Sequence, residues 1–238
     1  MREYINQLEK ELSKFNIKLT DKQICNFSIY LELLMEWNKK INLTSIVEPN
    51  EILTKHFVDS LSIAKWLKDG NYVIDVGSGA GFPGIPLSIL MENCSFLLVD
   101  SLNKRVKFLD EVINKLKLKN TRAIHARAEE LAHFKEYREM FDIATSRAVA
   151  NMSTLLEYLL PFCKVNGLAI CMKGNNIKEE LIKSKNACHL LKGNIEKIDN
   201  FYLPFSEYER NVIIVRKMEK ISEKYPRRQG KPAKEPIQ

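Results

Sequence analysis

The chain reads as an α/β protein: a doubly wound, mostly parallel sheet that ends in an antiparallel hairpin and carries an N-terminal helical cap. Three observations predict this. From residue 72 onward, strand-like and helix-like segments alternate, a rhythm that gives right-handed parallel crossovers with helices on both faces of an open sheet. The last two strand candidates, 195–203 and 210–217, lie only about six residues apart, too close for a crossover helix, so they are expected to pair antiparallel at one edge. The first 70 residues show helical periodicity instead. The expected division is a cap over 1–70, a core over 71–218 and a basic tail over 219–238.

In the cap, Ile24, Phe27, Leu31, Leu34 and Ile41 keep helical spacing, with Asp21 as the expected N-cap. A second helix is expected over 49–67, opening at Pro49, since proline suits a first helical turn. In the core, YVIDV (72–76) precedes a helix from about 84, and SFLLVD (95–100) precedes KRVKFLDEVINKL. TRAIHA (121–126) precedes AEELAHFKEYREM, FDIATS (141–146) precedes NMSTLLEYLLPF, and GLAICMK (167–173) precedes a polar helix around 177–190. These strands are short continuous apolar runs, as expected where helices cover both faces.

Composition narrows the class. Hydrophobic residues make up 45% and charged residues 28% of 238, ordinary for a soluble globular chain. MREYINQLEKELSKF is too charged for a signal peptide, and no apolar run reaches membrane-spanning length, so a cytoplasmic protein with no membrane partner is expected. The five cysteines form no CxxC and the four histidines show no ligand spacing, so reduced, buried thiols and no metal are expected. Net charge is +7, of which +5 sits in residues 216–238. Such a tail suits a polyanion, although taken alone it reads equally as a solvated terminus.

The informative stretch is VIDVGSGAGFPGIPLSIL (73–90), where two glycine patterns overlap. Gly77, Gly79 and Gly81 spell GxGxG, which suits S-adenosylmethionine (SAM); Gly79, Gly81 and Gly84 spell GxGxxG, which suits a dinucleotide. In both, a tight turn after the first strand presents backbone N–H groups at a helix N-terminus. Pro83 removes one such N–H from the middle of the dinucleotide pattern. Asp75 is out of place beside a pyrophosphate, whereas it suits the ammonium of a methionine moiety. The residues favour SAM. Asp100, at the end of the second strand, accepts from ribose hydroxyls in either cofactor class. Ala128 and Glu129, after the third strand, fall where adenine would lie, though Glu129 reads equally as a first-turn helix acid. Ser146-Arg147-Ala148-Val149, after the fourth strand, takes the position facing the methyl group, where Arg147 by itself is more simply a salt-bridging residue. The Asn/Asp-Pro-Pro-aromatic signature of amino-group methylation is missing there. Cys163 and Cys171 are poorly placed as nucleophiles for pyrimidine carbon.

Taken together, WNKKINLT (37–44), KHFVDSL (55–61), VIDVGSGAGFPGIPL (73–87), SRAVA (146–150), MKG (172–174) and YPRRQGKPAKEPI (225–237) resemble, in order and over nearly the whole length, the bacterial small-subunit rRNA guanine-N7 methyltransferase family RsmG, also called GidB. The family's tail reads closer to YPRKAGTP, so Arg228 and Gln229 depart mildly from it. The resemblance implies a Rossmann-like class I SAM-dependent methyltransferase acting on 16S rRNA or the small ribosomal subunit. It implies SAM contacts at Gly77, Phe82, Ala128, Glu129 and Arg147, beside Asp75, Gly79 and Asp100 from the loop reading. It turns the tail into an expected rRNA contact. No catalytic residue is assigned, because guanine N7 carries a lone pair and no proton, so alignment and charge tolerance suffice. A monomer is expected. An NAD-dependent oxidoreductase leaves Asp75, Pro83, the hairpin and the tail unexplained; a non-catalytic RNA-binding protein leaves the glycine loop without a purpose.

Overall fold

A computed structural model describes residues 2–238. The cap opens with α1 (Arg2–Leu12) and α2 (Asp21–Ile41). The N-cap of α2 is Thr20, not Asp21: its side chain accepts from the backbone of Gln23, whose own side chain reaches back to complete a capping box. The helix expected over 49–67 opens at Pro49 and runs on without a break through α3 (Pro49–Ile52), a π-wound segment Leu53–Val58 and α4 (Asp59–Leu61), where it ends short of 67. Such π turns recur where a helix must aim side chains at a site.

Then come β1 (Tyr72–Val76), α5 (Gly84–Leu90), β2 (Ser95–Asp100), α6 (Asn103–Leu116), β3 (Thr121–His125), α7 (Ala128–Leu131), β4 (Phe141–Arg147), α8 (Met152–Leu159) and β5 (Cys163–Lys173). The chain continues through α9 (Lys178–Lys183), α10 (Lys185–Leu190), β6 (Gly193–Tyr202), β7 (Glu209–Lys217) and α11 (Lys231–Lys234). The seven strands take the order β3-β2-β1-β4-β5-β7-β6. The first five are parallel, and β7 runs antiparallel between β5 and β6. The sheet is thus mostly parallel with an antiparallel end, as the sequence implies.

Side chains alternate across the sheet with the strand period of two. Val73, Phe96, Leu98, Ile143, Ile170 and Ile214 pack with α2, α5, α6 and the helices of the cap. Ile74, Leu97, Val99, Ala144, Ala169 and Ile213 pack on the other face against α8 and α10. The cap therefore shares one hydrophobic core with α5 and α6. The helix expected over AEELAHFKEYREM shrinks to the four residues of α7. Beyond it, Arg138 donates to the carbonyls of Ala132, Ile221, Ser222 and Tyr225, so tertiary contacts replace helix there. Four cysteines are buried, Cys25 is exposed against expectation, and all five are free thiols. Among the described residues no helix is long and apolar enough to cross a membrane, and no group of His, Cys, Asp and Glu could hold a metal ion.

Candidate active site

Strand order reverses between β1 and β4, and a crevice forms at such a switch point beyond the strand C-termini. A cleft of about 360 Å³ lies there. It is lined by the glycine loop (Gly77–Ala80 and Phe82), by Asp100, Ser101 and Arg105 after β2, by Arg147–Val149 after β4, and by Leu43, Thr44 and His56 of the cap.

The loop's geometry explains its glycines. Gly77, Gly79 and Gly81 all have positive φ (73°, 60° and 97°), the left-handed region that side chains avoid. Gly77 is also sterically confined: a Cβ there would sit 2.7 Å from Cγ2 of Val149. Gly79 faces open space, so only its backbone conformation requires glycine. Val99 O accepts from the N–H groups of Gly77 and Ser78 (2.8 and 3.0 Å), and the buried Tyr30 hydroxyl donates to Ala80 O (2.5 Å).

Two carboxylates flank this loop with different roles. Asp100, 2% exposed, accepts from Gly79 N–H (2.8 Å) and Leu102 N–H (2.9 Å), with Arg105 at 3.4 Å, and borders the cleft. Asp75 does not reach the cleft. It lies fully buried beneath the loop, one oxygen accepting from Gly84 N–H (2.9 Å) and the other without a partner. Burial raises its pKa to about 7, only partly offset by the Gly84 N–H and the Arg147 charge. Asp75, expected to face the ammonium, thus sits under the turn and fastens the start of α5 through Gly84 N–H.

Arg147 is fixed by the π-wound segment. It donates to Lys55 O (2.7 Å) and to Asp59 (3.1 Å), and its guanidinium lies 4.9 Å from the centroid of the Phe82 ring. Asp59 also holds Arg210 at 3.2 Å. The third partner of Arg147 is Nδ1 of His56 (2.8 Å). The same Nδ1 stands 3.1 Å from Lys55 O; a guanidinium only donates, so toward Arg147 Nδ1 accepts and His56 is neutral, while Nε2 lies 2.8 Å from Thr44 Oγ1. Burial and the Arg147 charge push the imidazole down to a pKa of about 3, and the ring stacks on Phe82 at 4.5 Å.

Ala128 and Glu129 are not brought to the cleft. Glu129, 6% exposed, instead accepts from Gly230 N–H of the tail (2.9 Å) and from Tyr158 (3.4 Å). The tail folds back over α7 and α8. Arg227 grips the buried Glu157 through its backbone N–H, Nε and Nη2 (2.7, 2.9 and 2.7 Å). Pro226 O and Pro232 O take bonds from His133 and Thr154. Glu129, expected at the adenine edge, is engaged here by the tail, which is docked rather than free because the buried carboxylates of Glu129 and Glu157 need donors.

Of the expected residues, the structure therefore gathers Gly77, Gly79, Phe82, Asp100 and Arg147 around one cleft and leaves out Asp75, Ala128 and Glu129. Reasoning from the sequence missed His56, Thr44, Asp59 and Tyr30. Three of these stand inside the recognisable stretches KHFVDSL and WNKKINLT, so a signal was present without a chemistry attached.

A family model described as rRNA small subunit methyltransferase G (GidB) matches residues 23–213. A protein named ribosomal RNA small subunit methyltransferase G from Acetivibrio thermocellus is 51% identical over 226 residues, spanning 94% of this chain and 93% of its own length. Its namesake from Clostridium perfringens is 46% identical over 237 residues, 99% of each chain. Among solved structures, a SAM-dependent methyltransferase from Aquifex aeolicus superimposes with TM-score 0.53 at 20% identity, over 69% of this chain and 92% of that one. M. jannaschii TYW2 in complex with AdoMet gives TM-score 0.53 at 17% identity, over 68% and 75%. These two establish the likeness of fold.

Proposed function

The chain belongs to the rRNA small subunit methyltransferase G family, and from that premise we propose that it transfers a methyl group from SAM to N7 of a guanine in 16S rRNA. The cleft fits the cofactor. Its volume of about 360 Å³ is in the range of small-molecule sites, and the positive-φ turn at Gly77 and Gly79 lines it with bare backbone. When bound, SAM supplies an electrophilic methyl on a sulfonium. Gly77, Gly79, Phe82, Asp100 and Arg147 are the residues we assign to hold it, with Asp100 Oδ1, which accepts only from Leu102 N–H, left to accept a ribose hydroxyl as well.

The observation that carries the N7 assignment is the lack of a usable proton acceptor among the described residues that line the cleft. Both ring nitrogens of His56 are engaged, and its pKa is held near 3. Asp100 is tied to two backbone N–H groups, and Arg147 cannot lose its proton at neutral pH. An acceptor that bears a lone pair and no proton, such as guanine N7, needs no base. The protein's work is then to align nitrogen and methyl, while the Phe82 and His56 rings exclude water beside them. N7 lies in the major groove, too deep in A-form RNA for side chains to enter, so the guanine is met in a loop or turned out of its stack.

The cap, core and tail division is kept as a working description, with the tail contributing Lys224, Arg228 and Lys234, all exposed, as phosphate contacts. Incubating the protein with labelled SAM and unmethylated 16S rRNA, naked and assembled in small subunits, and mapping the modified base tests the reading. A label on N7 of one guanine is expected; a label on an exocyclic amine, a carbon or a hydroxyl overturns it.

A further inference from the structure

The end of β6 and the loop 203–208 after it present three exposed aromatic rings that the cleft does not use. Tyr202 is 61% exposed, Phe205 63% and Tyr208 40%. Exposure of this kind at one spot marks an interaction surface. The rings are interleaved with cations: Lys10 and Lys14 of the cap stand 4.7 and 5.4 Å from the Phe205 centroid, and Lys55 stands 4.3 Å from that of Tyr208. Between Phe205, Tyr208 and the first cap helix runs a groove of about 340 Å³.

One wall of that groove contains an unsatisfied acceptor. Glu11 is 4% exposed, and one of its oxygens accepts from Gln7 (2.8 Å) and Thr54 (2.8 Å). The other is buried without a partner, and a buried carboxylate oxygen in that state wants a donor. A phosphate would be repelled there, whereas the amino or imino N–H of a nucleobase edge would be accepted. Lys55 is paired with Glu51 on the same wall, whereas Lys10 and Lys14 form no ion pair among the described residues and stand at the rim where a nucleotide's phosphate would meet them.

The π-wound segment lends Thr54 to this groove and His56 to the cleft. Lys55 faces Tyr208 with its side chain, while its carbonyl accepts from Arg147 (2.7 Å). Thr54 turns to Glu11 and His56 to Arg147, so the π-wound segment is a wall common to both cavities. At the other end of the loop, Arg210 reaches Asp59, the residue that anchors Arg147.

We propose that this aromatic and lysine-rimmed groove holds an unpaired nucleotide of the substrate RNA next to the target guanine, its base stacked on Phe205 or Tyr208 and its donor edge toward Glu11. This rests on the reading of the chain as an RNA methyltransferase. Stacking on an aromatic platform is the usual way in which proteins hold splayed RNA bases.

Equilibrium binding of labelled 16S rRNA, naked and in small subunits, tests it on the full chain, beside SAM affinity and melting temperature. Phe205→Ala is expected to weaken RNA binding by about tenfold or more, with SAM affinity and melting temperature unchanged because the ring is exposed. Phe205→Trp is expected to retain binding, and Phe205→Leu to behave like the alanine variant, since it keeps apolar area without a flat π face. Unchanged RNA affinity in Phe205→Ala overturns the proposal. Rescue by leucine also overturns it and points to an apolar protein contact. Methyl transfer by the wild-type protein, followed separately, reports on the proposed function: its failure with a binding defect intact sinks the reaction and not the groove.

Discussion

The glycine loop and the C-terminal tail both read in the sequence as ligand-facing, and the fold treats them oppositely. The loop 77–82 is held by its own neighbours, through Val99 O, Asp100 and Tyr30, and lines an open cleft. The tail is drawn onto the core. Arg227 is bound to the fully buried Glu157, and Ile221, Tyr225 and Pro232 are buried with it. Even Lys217, just before the tail, is fully buried against Glu139 at 2.6 Å. A turn announces its function because its conformation demands a residue type. A cation does not, because solvent, phosphate and a buried carboxylate all satisfy it.

Adjacent arginines offer the largest break in that contrast. Arg227→Ala leaves the buried Glu157 charge without its counter-cation, held only by the backbone N–H of residue 227, which costs on the order of 3 kcal/mol and lowers the melting temperature by roughly 10 °C. Arg228→Ala, at an exposed position, leaves it unchanged. Removing everything after Ser222 reproduces the Arg227→Ala loss, so such a truncation measures stability before it measures RNA binding. Calorimetric melts of the three variants decide the point; equal melting temperatures for the two arginine variants contradict the docking.

Within the loop, Gly77→Val is expected to abolish SAM binding in titration calorimetry. It combines a left-handed backbone, costing about 1–2 kcal/mol for an L-residue, with the Val149 clash at 2.7 Å. Gly79→Ala meets only the backbone term, so its loss of affinity is smaller. A larger loss at Gly79 than at Gly77 reverses the assignment of the confined position.

The tail's exposed cations are expected to act on RNA alone. Replacing Lys224, Arg228 and Lys234 together by alanine reduces the slope of log affinity against log salt by about 2, since each phosphate contact contributes ~0.7–0.9. SAM affinity stays the same. An unchanged slope removes the tail from the RNA interface.

A subtler contrast lies under the cleft, between Asp75 with its pKa raised to about 7 and His56 with its pKa lowered to about 3. Between about pH 4 and 6.5 the folded chain carries a proton on Asp75 that the unfolded chain lacks. The unfolded chain carries one on His56 that the folded chain lacks, so the two leave stability flat. In His56→Gln only the Asp75 proton remains. That contribution is full below about pH 4 and is lost as pH rises toward 7, at about 1.4 kcal/mol per pH unit. In Asp75→Asn only the His56 deficit remains, and stability rises with pH from about 3 to 6.5. Urea unfolding across that range should give slopes displaced from wild type in opposite directions in the two variants; displacement in one direction refutes the pairing.

The smallest effect expected is none. With SAM and RNA saturating, the single-turnover rate should vary less than about twofold between pH 6 and 9, because no group on the enzyme has to take a proton. A tenfold rise per pH unit would mean that deprotonation precedes transfer, and would remove N7 as the acceptor.

Much of the molecule follows from the chain read in order. The alternation from residue 72, the terminal hairpin and the capped amphipathic helix are local or nearly local patterns, and period two or 3.6 is decided by neighbours along the chain. Gly77, Gly79 and Gly81 are likewise legible, since positive φ is a one-residue property. Only the tertiary structure decided where the polar side chains found their partners. Asp75 was aimed at Gly84 across a turn, Glu129 at Gly230 from 101 residues away, and Arg147 at His56 from 91. The physical reason is that a buried charge or donor is satisfied by whichever group packing brings within about 3 Å. Sequence spacing carries no information about that distance once the contact is long-range.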